Sequence, residues 1–196
     1  MAAKTQFAYG EGKERVLHVA EEMFLSRCYS SVTLRDIAAE VGIKEASLYY
    51  HFPGGKEELF LAVLHRSMAA YRTGLEHAAN EGRDLREKLT KMALWFLSRR
   101  QLNLQLITDS DLAEIDPSKR PEVERSAYES LVKPLVKMLS EAEAAGESAS
   151  YNKEVVAGAV LNTMCDLHNA VRYSTVTSEE ALTDVVDMLV DGLRPR

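Results

Sequence analysis

The sequence predicts an all-α protein in two parts. An N-terminal three-helix helix-turn-helix domain covers residues 1–60, and a larger helical domain covers residues 61–196. Three observations lead there. Leu, Ala, Glu and Lys are common and strand-like alternation is scarce, so the helical period dominates. Stop signals cut that period at Gly42, Phe52-Pro53-Gly54-Gly55, Asn80-Glu81-Gly82 and Ala145-Gly146. Finally, Thr33 to Lys56, TLRDIAAEVGIKEASLYYHFPGGK, reads as two short helices joined by a glycine turn and closed by an aromatic stop.

Residues 1–12 have no strong period and are expected to form a flexible arm. Lys13 to Cys28 is expected as the first helix, with Val16, Ala20, Met23 and Phe24 as its inner stripe. Tyr29-Ser30-Ser31 links it to the second helix, Thr33 to Val41. There Thr33 can cap the amino end with Asp36 as its acidic partner. Ile37 and Val41 form the buried stripe, and small Ala38 admits a close neighbour. Gly42 can take positive φ and turn the chain sharply. The third helix, Lys44 to His51, points Leu48 inward, and the residue before Pro53 leaves the helical region.

Gly54-Gly55 opens a long fourth helix to about Ala79, with Glu57 and Glu58 in its first turn, where the helix dipole favours acids. Its inner face carries Phe60, Val63, Leu64, Met68, Tyr71 and Leu75, so it runs from one domain into the next with no soft linker. Asp84 with Glu87 starts a fifth helix with Leu85, Leu89, Met92 and Phe96 inside. Gln101 to Leu112 is expected as a shorter helix, and Asp116 to Pro121 as a loop. Glu122 to Ala145 reads as a helix kinked or split at Pro134. Asn152 can cap an apolar helix to about Tyr173, and Thr177 with Glu180 makes a capping box for the last helix.

The chain is 46% apolar over 196 residues, enough to bury a sizeable core. Its longest apolar run, Val155 to Leu161, is too short to cross a bilayer, and the amino end lacks the apolar core of a secretion signal. A cytoplasmic protein with no membrane partner is expected. Cys28 and Cys165 are expected as free thiols in a reducing compartment. Cys165 and His168 stand at i, i+3, but no third ligand is evident, so neither metal nor cofactor is expected.

The net charge is −6, of which residues 1–60 contribute −2. Placement, more than total charge, decides specific binding to DNA. Lys13, Arg35, Lys44 and Lys56 could share one face while the acidic body repels DNA elsewhere. In a helix-turn-helix the second helix enters the major groove with its first residues at the base edges. That assigns base contact to Lys44, Glu45, Ala46 and Ser47, with Tyr49 and Tyr50 a turn later. Lys44 can donate to guanine or to phosphate, and Ala46 can touch a thymine methyl. Glu45 either accepts from cytosine N4 or faces solvent and repels phosphate. Arg35 can reach the backbone or a base edge, and Tyr49 has a second possible role in the core.

Thr33-Leu34-Arg35-Asp36-Ile37-Ala38, Gly42-Ile43, Ser47-Leu48-Tyr49-Tyr50-His51-Phe52 and Lys56-Glu57-Glu58-Leu59 resemble the DNA-binding signature of the TetR/AcrR family. The resemblance runs from about Lys13 to Leu64. It implies an all-helical homodimer whose C-terminal domain serves ligand binding and dimerisation. It also implies phosphate contacts from Thr33, Tyr50, His51 and Lys56, although His51 could equally serve the core or a helix cap. The expected role is a ligand-responsive transcriptional regulator, most often a repressor, that binds a palindromic operator in double-stranded DNA. An unidentified small-molecule effector would release it.

The last two helices, about 152–173 and 178–193, are apolar on nearly every side and are expected to form a four-helix bundle with a second copy. The effector cavity is expected among Met68, Tyr71, Trp95, Leu106, Tyr128, Met138, Met164, His168 and Asn169, although plain core packing would use the same residues. A DNA-bound adaptor of the same fold that recruits proteins and senses no small molecule is the alternative. No phosphate-cradling glycine loop, nucleophile elbow, HExxH or catalytic carboxylate pair is present, so no enzyme is expected.

Overall fold

The computed structural model describes residues 9–27, 29–99, 114–171 and 175–195, with the side chains of residues 9–11, 25, 168–171 and 178 outside that description. Every regular element among the described residues is helical. In order they are α1 (Tyr9–Ser26), a 3-10 turn (Tyr29–Ser31), α2 (Leu34–Val41), α3 (Glu45–His51), α4 (Gly55–Asn80), α5 (Leu85–Ser98), α6 (Arg120–Ala127), a π turn (Tyr128–Val132), α7 (Lys133–Ala144), α8 (Lys153–Val171) and α9 (Ser178–Leu193). The chain forms two compact units. One ends at Ser67 and includes the described residues up to Val123; the other begins at Met68 and resumes at Glu124.

In the first unit α1 packs on α2 and α2 on α3. Val16, Ala20 and Phe24 of α1 meet Ile37, Ala38 and Val41 of α2 in one core with Leu48, Phe52, Leu59 and Phe60, all buried. Arg66 pairs with Glu14 at 3.1 Å, and Ser67 Oγ donates to Glu21 at 2.5 Å, so α1 is also tied to α4. The chain at the start of α6 returns to this unit and buries Ile115 and Val123.

The second unit packs α5 on α9 and α7, with α8 against both α7 and α9. Leu89, Met92, Phe96, Leu135, Met138, Val160, Leu182 and Val186 supply its core. Helix starts are satisfied by side chains. Asp84 accepts from the Glu87 amide at 2.8 Å, Glu147 accepts from the Leu85 amide at 2.6 Å, and Asn152 accepts from the Val155 amide at 3.0 Å. Thr177 and Glu180 close the expected capping box on α9. At Gly74 a Cβ would lie 1.7 Å from Trp95, so the indole rests directly on the backbone of α4.

Several boundaries differ from the sequence reading. Helix α1 begins at Tyr9, so residues 9–12 of the expected arm are helical. Gly10 and Gly12 weaken local propensity there. Tertiary packing compensates, since a Cβ on Gly12 would lie 3.8 Å from His51 Nε2. Pro121 lies in the first turn of α6, not in a loop, because a helix start has no use for the amide that proline lacks. The run expected to kink or split at Pro134 is divided just before it, and Pro134 stands in the first turn of α7. The wider π turn precedes it, and the Lys133 amide reaches back five residues to the Tyr128 carbonyl. That widening relieves the clash of the proline ring with the carbonyl four residues earlier. The helix expected over 101–112 lies outside the described residues, as does Cys28.

Candidate nucleic-acid interface

The α2–α3 corner is built by local chemistry. The Thr33 hydroxyl accepts from the Asp36 amide at 3.1 Å, and Asp36 accepts from the Thr33 amide at 3.2 Å, a reciprocal capping box. The hydroxyl also donates to the Asp36 carboxylate at 2.6 Å. These hydrogen bonds to Thr33, with Arg27 and Arg35 adding weaker attraction, hold the Asp36 carboxyl below its ordinary range. At the other end Gly42 takes φ 79°, and the Ile43 and Gly42 amides donate to Ala38 and Ala39 carbonyls at 2.9 and 3.2 Å. This is a Schellman closure, which needs positive φ at its glycine.

From this corner α3 projects with a single buried residue, Leu48. Lys44, at the amino cap, and Glu45, Ala46, Ser47, Tyr49 and Tyr50 are all exposed, Tyr50 by 71%. A seven-residue helix held by one internal anchor leaves nearly its whole perimeter available for another molecule. Glu45 lies in its first turn, where the dipole favours an acid regardless of any base contact. His51 is half-buried beside Tyr50, with the rings edge-on at 5.4 Å. Arg35 is exposed on α2.

Cations flank this helix on aromatic seats. Lys56 Nζ stands 3.9 Å from the Tyr29 ring centre, and Lys13 Nζ stands 5.3 Å from that of Phe52. Tyr29 is packed against Phe24 and Phe60 at 6.0 and 4.7 Å between ring centres. Next to Lys56, Glu57 accepts from Lys119 and from the Asp116 amide, each at 2.7 Å. The Lys119 hydrogen bond, followed by that of Asp116, holds the Glu57 carboxyl below its ordinary range. Glu58 turns back to accept from the Gly54 amide at 2.6 Å.

The ten residues assigned to DNA therefore lie on three neighbouring pieces: the start of α2, α3, and the start of α4. The sequence reading missed Tyr29 as the seat of Lys56, and Lys119 as the partner of Glu57. A lysine 62 residues from its carboxylate leaves no local signature. An aromatic residue 27 positions from its lysine leaves none either. The bond from Thr33 to Asp36 was half legible: the cap was evident, but not that the only hydroxyl hydrogen is already in use.

Of the residues expected to line an effector cavity, those that are described fall in the second unit. Met68, Tyr71, Met138 and Met164 are buried, Trp95 is half-buried, and Tyr128 is exposed on the π turn. Tyr71 and Trp95 meet edge-on at 5.7 Å, and Arg99 lies 4.8 Å over the indole. Met164 lines an apolar void of about 10 Å³ with Leu89, Ala93, Val160, Leu167 and Leu182. Leu106 and the side chains of His168 and Asn169 lie outside the described residues. Burial, with Asp166 adding to it, pushes the Cys165 thiol up to about 11. Among the described residues no helix is long and apolar enough to cross a membrane.

Residues 16–63 match the family described as bacterial regulatory proteins, tetR family. The chain is 40% identical over 58 residues to the HTH-type transcriptional regulator LmrA of Bacillus subtilis, covering 30% of this chain and 31% of that protein. It spans about a quarter to a third of the length of the curated relatives it matches. Solved structures align over nearly the whole chain. The reduced form of NemR from E. coli has a TM-score of 0.76 at 18% identity, covering 93% of this chain and 97% of that one. A putative transcriptional regulator from Saccharomonospora viridis in complex with choline has a TM-score of 0.75 at 19% identity, covering 95% and 100%. At such identities the likeness is one of fold alone.

Proposed function

For a chain whose N-terminal domain belongs to the tetR family of bacterial regulatory proteins, we propose the role of a ligand-responsive transcriptional regulator, most readily a repressor. It reads a palindromic operator in double-stranded DNA as a homodimer and leaves it when a small molecule binds. One observation carries this reading: α3 presents Lys44, Glu45, Ala46, Ser47, Tyr49 and Tyr50 to solvent and holds itself by Leu48 alone. A short helix exposed on this scale, braced by a capped helix before it, fits the major groove.

In this reading residues 1–60 read DNA and residues 61–196 dimerise and sense. Lys44 donates to a base edge or a phosphate, and Tyr50, His51, Arg35 and Lys56 hold the backbone. Thr33 contributes through the amino end of α2 more than through its hydroxyl, whose hydrogen already goes to Asp36. Two copies joined by α8 and α9 set their reading helices about one turn of DNA apart, ~34–36 Å. Val155 and Met188, exposed by 68% and 63% on those helices, support burial against a second copy.

The choline held by the S. viridis regulator supports a small-molecule effector in a body of this shape. The alternative is an adaptor that recruits proteins and senses no small molecule. Selection of duplexes from a random-sequence pool tests the DNA reading: an inverted repeat should be enriched, and sequence-insensitive binding defeats it. A metabolite screen on the bound complex then separates sensor from adaptor, since only the sensor is released.

A further inference from the structure

We infer that Tyr29 is a positioning residue for DNA binding: its ring face holds the Lys56 ammonium toward the phosphate backbone. This rests on the DNA-reading role proposed above. Lys56 Nζ is 3.9 Å from the ring centre, well inside the range of about 6 Å over which a ring quadrupole attracts a cation. The seat is rigid. Tyr29 is buried in the 3-10 turn, stacked on Phe24 at an interplanar angle of 29° and tilted against Phe60 at 52°. Phe24 and Phe60 themselves meet edge-on at 5.0 Å.

The place of this seat matters as much as its geometry. Gly55 takes φ 70°, and a Cβ there would lie 3.6 Å from Tyr49 and 3.9 Å from Leu34. The start of α4 therefore lies against α3 and against the first residue of α2. A free lysine loses rotamer entropy when a contact fixes it. A ring that already confines the side chain reduces that loss on binding.

The adjacent acids do not undo this arrangement. Glu57 is directed to Lys119 and the Asp116 amide, and Glu58 to the Gly54 amide. Local sequence carries no hint of the pairing, because Tyr29 and Lys56 stand 27 positions apart.

The test grades the ring without changing its shape. Tyr29→Phe serves as the reference, followed by phenylalanines at position 29 carrying one and then three ring fluorines, which progressively empty the ring face. The probe is a duplex selected by the wild-type protein from a random-sequence pool. Affinity should fall stepwise, by roughly 2- to 5-fold in all, at unchanged melting temperature. The same series in a Lys56→Met background should be flat, and Lys56→Met alone should reduce the salt slope by about 1. An affinity that ignores fluorination, or falls equally without Lys56, overturns the inference. If the reference protein binds the selected duplex no better than random DNA, the DNA-reading role itself fails and takes this inference with it.

Discussion

Lys119 Nζ lies 2.7 Å from Glu57 Oε2, which joins the first turn of α4 to a residue 62 positions further along. The other carboxylate oxygen takes the Asp116 amide, so both oxygens of Glu57 are committed. Glu57 is thereby lowered from its ordinary 4.5, and Lys119 is raised from its ordinary 10.5, chiefly by its hydrogen bond to Glu57. A carboxylate lowered by folding stabilises fully above its ordinary value and loses that contribution as pH falls through the lowered one. A raised lysine does so below its ordinary value and loses it as pH rises through the raised one.

Glu57→Gln should therefore melt lower than the wild type near neutral pH, by roughly 1–3 °C for a half-buried pair in a chain of this size. The deficit should vanish well below 4.5, the ordinary value of Glu57. Thermal melts across that range check it, and a deficit independent of pH would assign the loss to packing instead.

Lys44→Ala and Tyr50→Ala should each weaken binding to the selected duplex by about 10-fold, the order of 1–3 kcal/mol per specific contact, without moving the melting temperature. Both side chains are exposed, so folding does not depend on them. Leu48→Ala should do the opposite and cost about 2–5 kcal/mol of stability, since Leu48 is fully buried. Filter binding paired with denaturant melts separates the two classes.

Gly42 and Gly74 should respond differently to alanine. At Gly42 nothing lies within 4 Å of an added Cβ, so Gly42→Ala pays only for positive φ, about 1–2 kcal/mol. Gly42→Asn should recover part of that. Gly74→Ala drives a methyl into Trp95, and the overpacking should cost about 1–3 kcal/mol despite alanine's better helix propensity. Urea melts of the three variants provide the comparison.

Thr33→Ala should cost about 1 kcal/mol through loss of the α2 cap, while Thr33→Ser should be near neutral. Equal losses in both, read by chemical denaturation, would show that the methyl and not the hydroxyl matters.

Val155→Glu combined with Met188→Glu should convert a dimer to a monomer in sedimentation, because both residues are exposed on the helices assigned to the seam. A species of unchanged mass would remove α8 and α9 from that role.

The reading of the corner from sequence was nearly complete because its signals are local. Thr33 with Asp36, Gly42, the lone inward Leu48 and the Phe52-Pro53-Gly54-Gly55 stop each act within a few residues of themselves, and each appears in place. The same holds for Asp84, Asn152 and Thr177 at their helix starts. What escaped was pairing at a distance. Nothing near Glu57 points to Lys119, nothing near Gly74 points to Trp95, and Glu147 gives no sign that it caps α5. The early start of α1 escaped for a related reason: two glycines argue locally against a helix that the surrounding fold supports.

The π turn at Tyr128–Val132 has a bearing on how this chain can change length. A helix that accommodates one surplus residue in a widened loop resembles a single-codon insertion that never dephased the turns beyond it. Deleting one residue there would restore ordinary winding and leave Leu135, Met138 and Leu139 on the face where they are now buried. A shortened relative would therefore keep this core but lose the relief of Pro134, so the deletion and a replacement of that proline would be inherited as a pair.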